Sequence, residues 1–223
     1  MSGGHNHPYE HRADVYHQNE GWKEFPALPE GRSRFCQVTV DDKIYSIGGK
    51  INTIWGNSPP YTVWVNSPPY NESWTDLGYK MNGFHARHSC AVWGGRIYVI
   101  GGLYGSFSDY DELVRKTGTG RSFHLEKSST VEIFDPSNPG DWLLGPELPE
   151  PVQYGHAFVY NDVLYATTYY EDEDDERFIR FYSLGHGDQQ WKLAATLPTK
   201  DYESQRHVFP APVLKANQLH CKN

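Results

Sequence analysis

The sequence predicts an all-β fold built from repeated antiparallel sheets, and two observations lead to this prediction. The first is a segment that recurs three times, at residues 34–49, 87–102 and 154–169. Each copy has two short alternating apolar runs joined by a pair of turn residues, as in a β-hairpin. The second is composition: aromatic residues make up 15% of the chain, whereas all hydrophobic residues make up only 38%. Aromatic side chains must therefore fill much of the core.

A third apolar run and then a tryptophan follow each hairpin. The runs are residues 62–65, 130–135 and 178–183, and the tryptophans are Trp74, Trp142 and Trp191. A fourth strand that starts at each tryptophan gives four strands in each unit of 50 to 70 residues. Units of this kind are typical of propeller blades, which stack face to face because one blade cannot bury both of its faces alone. The sequence therefore predicts a β-propeller.

The predicted ring has about four blades. Residues 32–84, 85–151 and 152–203 form whole blades, while residues 13–31 resemble the outer half of a blade and residues 204–223 the inner half. Pairing the two halves would close a four-blade ring and remove its open strand edges. An incomplete ring, or one that a second copy of the chain completes as a homo-oligomer, is the alternative. Residues 1–12 are expected to be a disordered, His-rich leader.

These units resemble kelch repeats. The resemblance rests on the motifs IYSIGG at residues 44–49 and IYVIGG at 97–102, on residues 131–136 leading to Trp142, and on the three tryptophans. The third unit departs from the pattern, since Thr168 and Tyr169 stand near the place of the glycines. The resemblance implies a kelch-type β-propeller that acts as a non-enzymatic protein-interaction module. Such modules recognise substrates for ubiquitin ligases or bind the cytoskeleton.

Basic residues recur where the chain enters the innermost strand of a blade. Arg34 and Arg87 occupy the same position in their units, Tyr154 takes it in the third, Arg206 is expected close to it in the last, and His88 is adjacent. Guanidinium groups that converge on a central mouth would suit carboxylates. The resemblance implies that these residues bind a protein or an acidic peptide. The alternative is that the arginines are structural and bond loop carbonyls between blades.

Composition excludes other classes of function. The 28 acidic and 20 basic residues give a net charge of −8, which argues against nucleic-acid binding. No apolar run approaches the roughly 18 residues of a membrane span, and no secretory leader is visible, so a cytoplasmic protein is expected. The cysteines, Cys36, Cys90 and Cys221, lack metal-ligand spacing and are expected to be reduced thiols. No catalytic residues, metal or cofactor are predicted; the alternative is a propeller enzyme acting on a small sugar acid at the central mouth.

Two unusual segments follow second strands and should lie on the same face as the links between blades. Residues 103–127 form an insertion without periodicity, which is either mobile filler or a binding loop. Residues 171–176 are six consecutive carboxylates. This acidic run is either a solvated loop or an attraction for a basic partner or a weakly bound cation.

Overall fold

The computed structural model describes residues 13–51, 62–70, 72–78, 80–117 and 125–199. Within these ranges, no helix combines the length and apolar character that a membrane span requires. The elements follow one another as β1 (Ala13–His17), β2 (Gly21–Phe25), β3 (Arg32–Ser33), β4 (Cys36–Val40), β5 (Lys43–Ile47), β6 (Lys50–Ile51), β7 (Val63–Asn66), β8 (Thr75–Asp76), β9 (Gly83–Ala86), β10 (Ser89–Trp93), β11 (Arg96–Ile100), β12 (Leu103–Ser106), α1 (Phe107–Thr117), β13 (Glu126–Lys127), β14 (Val131–Phe134), β15 (Leu143–Leu144), β16 (Ala157–Tyr160), β17 (Val163–Glu171), β18 (Arg177–Leu184) and β19 (Lys192–Thr199).

Three four-stranded antiparallel sheets form the blades, and they confirm the predicted propeller. Their strand orders are β4-β5-β7-β8, β10-β11-β14-β15 and β16-β17-β18-β19. The first two strands of each sheet meet at a predicted turn pair, and both residues of every pair have φ between 48° and 74°. Turns of this left-handed kind match the twist of a hairpin, which explains the pairs Asp41-Asp42, Gly94-Gly95 and Asn161-Asp162.

The three tryptophans occupy equivalent places, as the sequence predicts. Each directly precedes the fourth strand of its blade and is at most 6% exposed. Trp142 packs in the core between the first two blades, with Tyr45, Met81 and Phe134. Trp191 packs in the core between the second and third blades, with Tyr98 and Tyr182. Large aromatic side chains therefore fill the space between neighbouring sheets.

The glycine pairs allow one blade to approach the next. The Gly49 N–H donates to the His85 carbonyl at 2.8 Å, and the Gly102 N–H donates to the Val152 carbonyl at 2.7 Å. Both glycines have positive φ, 104° and 87°. A Cβ at Gly48 would lie 2.8 Å from the His85 oxygen of the next blade, so only glycine fits there without a shift.

The third blade lacks the glycine pair because its second strand continues instead of turning. β17 and β18 stay paired as far as Glu171 and Arg177. The acidic run therefore covers the tip of an ordered hairpin, where the Asp172 Oδ1 accepts the Glu176 N–H at 2.9 Å. Arg177 forms an ion pair with Glu171 at 3.4 Å beside this tip.

The insertion after Gly102 contains regular structure that its sequence does not reveal. β12 pairs with β9 on one side and with β13 on the other. α1 follows β12, and the Ser106 hydroxyl accepts the Asp109 N–H at 3.1 Å as an N-cap. The all-β prediction missed this helix, because its stability depends on packing such as the contact of Tyr110 with Phe84, whose ring centroids are 5.2 Å apart.

The ring is not closed within the described residues. β1 and β2 form a two-stranded antiparallel sheet. This sheet adjoins the first blade, where the Trp74 indole N–H donates to the Pro26 carbonyl at 2.8 Å. Residues 204–223, which were predicted to close the ring, lie outside the described residues. Over the described residues, the propeller is therefore an incomplete ring.

Candidate functional site

A ladder of backbone hydrogen bonds joins the entrances of the three blades. Arg34, Arg87 and Tyr154 lie just before the innermost strands β4, β10 and β16. The Arg87 N–H donates to the Arg34 carbonyl at 2.9 Å, and the Tyr154 N–H donates to the Arg87 carbonyl at 3.1 Å. The structure thus places these three residues side by side. We call them the entrance rim.

All three rim residues adopt the left-handed backbone conformation. Their φ angles are 60°, 57° and 64°. The left-handed conformation costs a residue with a Cβ about 1–2 kcal/mol, whereas glycine adopts it without this cost. Long side chains therefore stand where the backbone alone would favour glycine, which is typical of positions whose side chains have a function.

Arg87 is held in place by its neighbours in the third blade. Its Cζ lies 4.5 Å from the centroid of the Tyr154 ring. Its Nη1 donates to the Gln153 Oε1 at 3.1 Å. Because a guanidinium keeps its charge and its planar donors when it stacks on an aromatic ring, this arrangement presents an oriented cation at the rim.

A cavity of about 250 Å³ lies beside Tyr154, between the second and third blades. Its lining includes Tyr169, Lys127 and Arg177, together with the carboxylate of Glu171. Burial raises the pKa of Tyr169, so its phenol stays neutral. Lys127 comes from the insertion and Glu171 from the acidic run. The two unusual segments of the sequence therefore meet at this cavity.

His88, another predicted rim residue, lies away from the entrance rim. His88 is only 7% exposed, and its Nε2 donates to the Ile47 carbonyl at 3.2 Å. Burial, and next the neighbouring His85, lower the pKa of His88 to about 3, so its ring is neutral at physiological pH. Arg206 lies outside the described residues.

Arg32 has a structural role within the first blade. Its side chain is fully buried, and it donates to the Gly48 carbonyl at 3.1 Å and to the Thr62 hydroxyl at 2.9 Å. Burial lowers the pKa of Arg32 to about 10, which leaves it charged at neutral pH. Arg32 therefore holds together loops of its own blade.

The sequence missed a buried hydrogen-bonded pair, His85 and Glu132. The His85 Nε2 lies 2.7 Å from the Glu132 Oε1, and both side chains are fully buried. The other oxygen of Glu132 accepts the Asn82 backbone N–H at 2.8 Å. Glu132 lies 47 positions from His85 and 50 from Asn82 along the chain, so no local motif links it to them. The only local sign is a carboxylate between two apolar residues in a predicted strand.

The expectation of reduced thiols is wrong for two of the three cysteines. Cys36 and Cys90 form a disulfide between the first and second blades, with their Cα atoms 6.0 Å apart. Their separation of 54 residues is close to the 53-residue spacing of Arg34 and Arg87, and this match is the signal that could have revealed the pair. Cys221 lies outside the described residues.

Comparison with known proteins relates the chain to kelch proteins. No protein-family model matches it. It is 27% identical over 157 residues to Kelch-like protein 36 of Bos taurus and of Mus musculus; the match covers 68% of this chain, which spans 22% of the length of these relatives. The solved structure described as "Structure of YjhT" superposes with a TM-score of 0.64 at 19% identity, over 90% of this chain and 66% of that one. The chain is thus similar in sequence to kelch-like proteins, and its fold is a kelch-type β-propeller.

Proposed function

We propose that the chain is a non-enzymatic protein-interaction module that binds an acidic segment of a protein partner across the entrance rim. The observation that carries the proposal is the backbone ladder, which aligns Arg34, Arg87 and Tyr154. Their left-handed backbone supports it, because a purely structural turn at these positions would be more stable with glycine.

The charge and size of the neighbouring cavity support a peptide ligand. The net charge of the chain is −8, yet Lys127 and Arg177 line the cavity, where Arg177 pairs with Glu171, and Arg87 stacks on Tyr154 beside it. A volume of about 250 Å³ is below the roughly 300–1,000 Å³ of sites that enclose a drug-sized ligand. The cavity therefore suits one or two side chains of a segment that lies across the rim, with a carboxylate on the arginines and an aromatic or aliphatic side chain among the tyrosines.

The proposal extends to one further residue of the predicted site. Arg206 would continue the rim in the direction of the fourth blade, whereas His88 is buried and is not part of the proposed contact. Substrate recognition for a ubiquitin ligase and binding to cytoskeletal filaments in the cytoplasm would both use such a rim. Identification of proteins cross-linked to the rim would distinguish these two roles.

The test compares labelled peptides that contain several Asp and Glu residues with peptides in which these are Asn and Gln. We expect the double variant Arg34→Ala/Arg87→Ala to bind the acidic peptides at least tenfold more weakly, because each lost charge-assisted hydrogen bond is worth roughly 1.5–3 kcal/mol. Arg96→Ala is the control: Arg96 is an arginine with a half-exposed side chain that follows the turn Gly94-Gly95 on the opposite face. Equal binding by the double variant and the control would contradict the proposal.

The same cavity also favours the alternative, an enzyme that acts on a small sugar acid. One carboxylate on Arg87 or Arg177 and one ring among the tyrosines would occupy a space of about 250 Å³. Glucuronate is the probe, followed by calorimetry and by chromatography of the products. Saturable binding with conversion of the sugar, lost in Arg87→Ala, would replace the peptide-binding proposal.

A further inference from the structure

The Cys36–Cys90 pair lies next to a histidine at the contact between the first and second blades. Cys36 begins β4 and Cys90 belongs to β10, which are the innermost strands of their blades. A ring nitrogen of His88 and the two sulfur atoms lie within 4.8 Å of one another. The histidine is buried and the cysteines are half-buried. Two thiolates and one imidazole in this arrangement are a ligand set for a thiophilic metal ion.

The hydrogen bonding of His88 leaves one nitrogen available for such an ion. Its Nε2 contacts the Ile47 carbonyl, which can only accept, so Nε2 carries the proton. Nδ1 then holds a lone pair, and among the described residues it is buried without a hydrogen-bond partner. Ile47 is also the strand partner of Cys36 in the first blade. Histidines that ligate metals usually donate their second nitrogen to a carbonyl or carboxylate in this way.

A neighbouring ring holds His88 in this orientation. The imidazole packs edge-on against His85, with the centroids 5.8 Å apart, which restricts its rotation.

We propose that Cys36, Cys90 and the Nδ1 of His88 form a binding site for a thiophilic d¹⁰ ion, Zn²⁺ or Cu⁺, in the reduced protein. A dithiol reductant opens the disulfide: two electrons and two protons pass to the sulfurs, and the dithiol leaves as its own disulfide. Metal binding then displaces the two thiol protons and forms two metal–sulfur bonds and one metal–nitrogen bond. The ion replaces the disulfide as the link between the first two blades.

The ligand number allows either ion. Zn²⁺ takes four ligands at about 2.0–2.3 Å, so three protein ligands would leave one position for water. Cu⁺ is selected by soft thiolate ligands. The disulfide would have to open so that the sulfurs lie roughly 3.8 Å apart around a tetrahedral ion, a small change for side chains whose Cα atoms are 6.0 Å apart.

The experiment uses the full chain, reduced with a dithiol and desalted without oxygen. Co²⁺ is the probe for the Zn²⁺ arm, because thiolate coordination gives a charge-transfer absorption that the histidines of the leader cannot produce. We expect one Co²⁺ for each chain, displaced by Zn²⁺. In the Cu⁺ arm, a coloured Cu⁺ chelator is titrated with the reduced protein, and transfer of one Cu⁺ for each chain is expected. Success in either arm supports the site and identifies its ion.

Variants and a chemical readout locate the site. Cys36→Ser, Cys90→Ser and His88→Gln should each weaken metal binding at least tenfold, whereas Cys221→Ser should leave it unchanged. Alkylation followed by peptide mapping needs no variant: the metal should protect Cys36 and Cys90 but not Cys221. Absence of metal binding in both arms, binding that persists in Cys36→Ser, or equal alkylation of the three cysteines with and without metal would each overturn the proposal.

Discussion

Two substitutions at Arg34 separate the backbone cost of the entrance rim from the function of its side chain. Arg34→Ala and Arg34→Gly both remove the guanidinium, but only alanine keeps a Cβ at φ 60°. The left-handed conformation costs a residue with a Cβ about 1–2 kcal/mol. Glycine avoids this cost, but it lowers the free energy of unfolding by roughly 0.4–1 kcal/mol because it gives the unfolded chain more conformational freedom. We therefore expect Arg34→Gly to be more stable than Arg34→Ala by about 0.5–1 kcal/mol.

Thermal and urea unfolding measure this difference, which should appear as a rise of roughly 1–4 °C in the unfolding midpoint of Arg34→Gly over Arg34→Ala. The control pair is at Thr39, an exposed residue within β4. There the order should reverse, with Thr39→Gly less stable than Thr39→Ala by about 0.5–1 kcal/mol, because strand glycines lose more entropy on folding.

Peptide binding provides the second half of the experiment. Both Arg34 variants should lose affinity for the acidic peptides equally, since neither carries the guanidinium. An Arg34→Gly protein that is less stable than Arg34→Ala would refute the argument that the backbone at the rim is strained. An Arg34→Gly protein that binds like the unchanged chain would refute the role of the arginine.

Three further predictions concern the packing and titration of the blades. Gly102→Ala should cost about 1–3 kcal/mol more than Gly95→Ala in urea unfolding. Both glycines have positive φ, but only the Gly102 Cβ would meet backbone atoms, and equal costs would contradict the close packing of Gly102 against the backbone of Ala86 and His88. Glu132→Ala should cost about 3–5 kcal/mol, since it leaves His85 buried without its partner; a cost below about 1 kcal/mol would count against the buried pair. Burial lowers the pKa of His156 from 6.5, so the unfolded chain takes up its proton at a higher pH than the folded protein. Stability should therefore fall as the pH drops below about 6.5, and His156→Gln should reduce this slope; an unchanged slope would contradict the shift.

The extent to which the fold could be read from the sequence differs between the blades and the insertion. Repeated hairpins, turn pairs and tryptophans predicted the three blades because each blade is a local unit of about 50 to 70 residues whose pattern appears three times. α1 was missed, because its sequence has mixed charges and its place depends on contact with Phe84 of another strand. The continued pairing of β17 and β18 was missed too, since it takes the place of the glycine turn seen in the other blades.

For the site, the repeat register alone determined that Arg34, Arg87 and Tyr154 occupy one position, since equal places in stacked units must lie near one another. Only the tertiary structure decided that Arg32, and not Arg34, is the fully buried arginine that bonds loop carbonyls. Only it paired His85 with Glu132 and Cys36 with Cys90, from 47 and 54 positions apart. The repeated sequence pattern specifies the features that all blades share. Contacts between blades depend instead on which side chains become buried between neighbouring sheets, and this is decided when the sheets pack against one another.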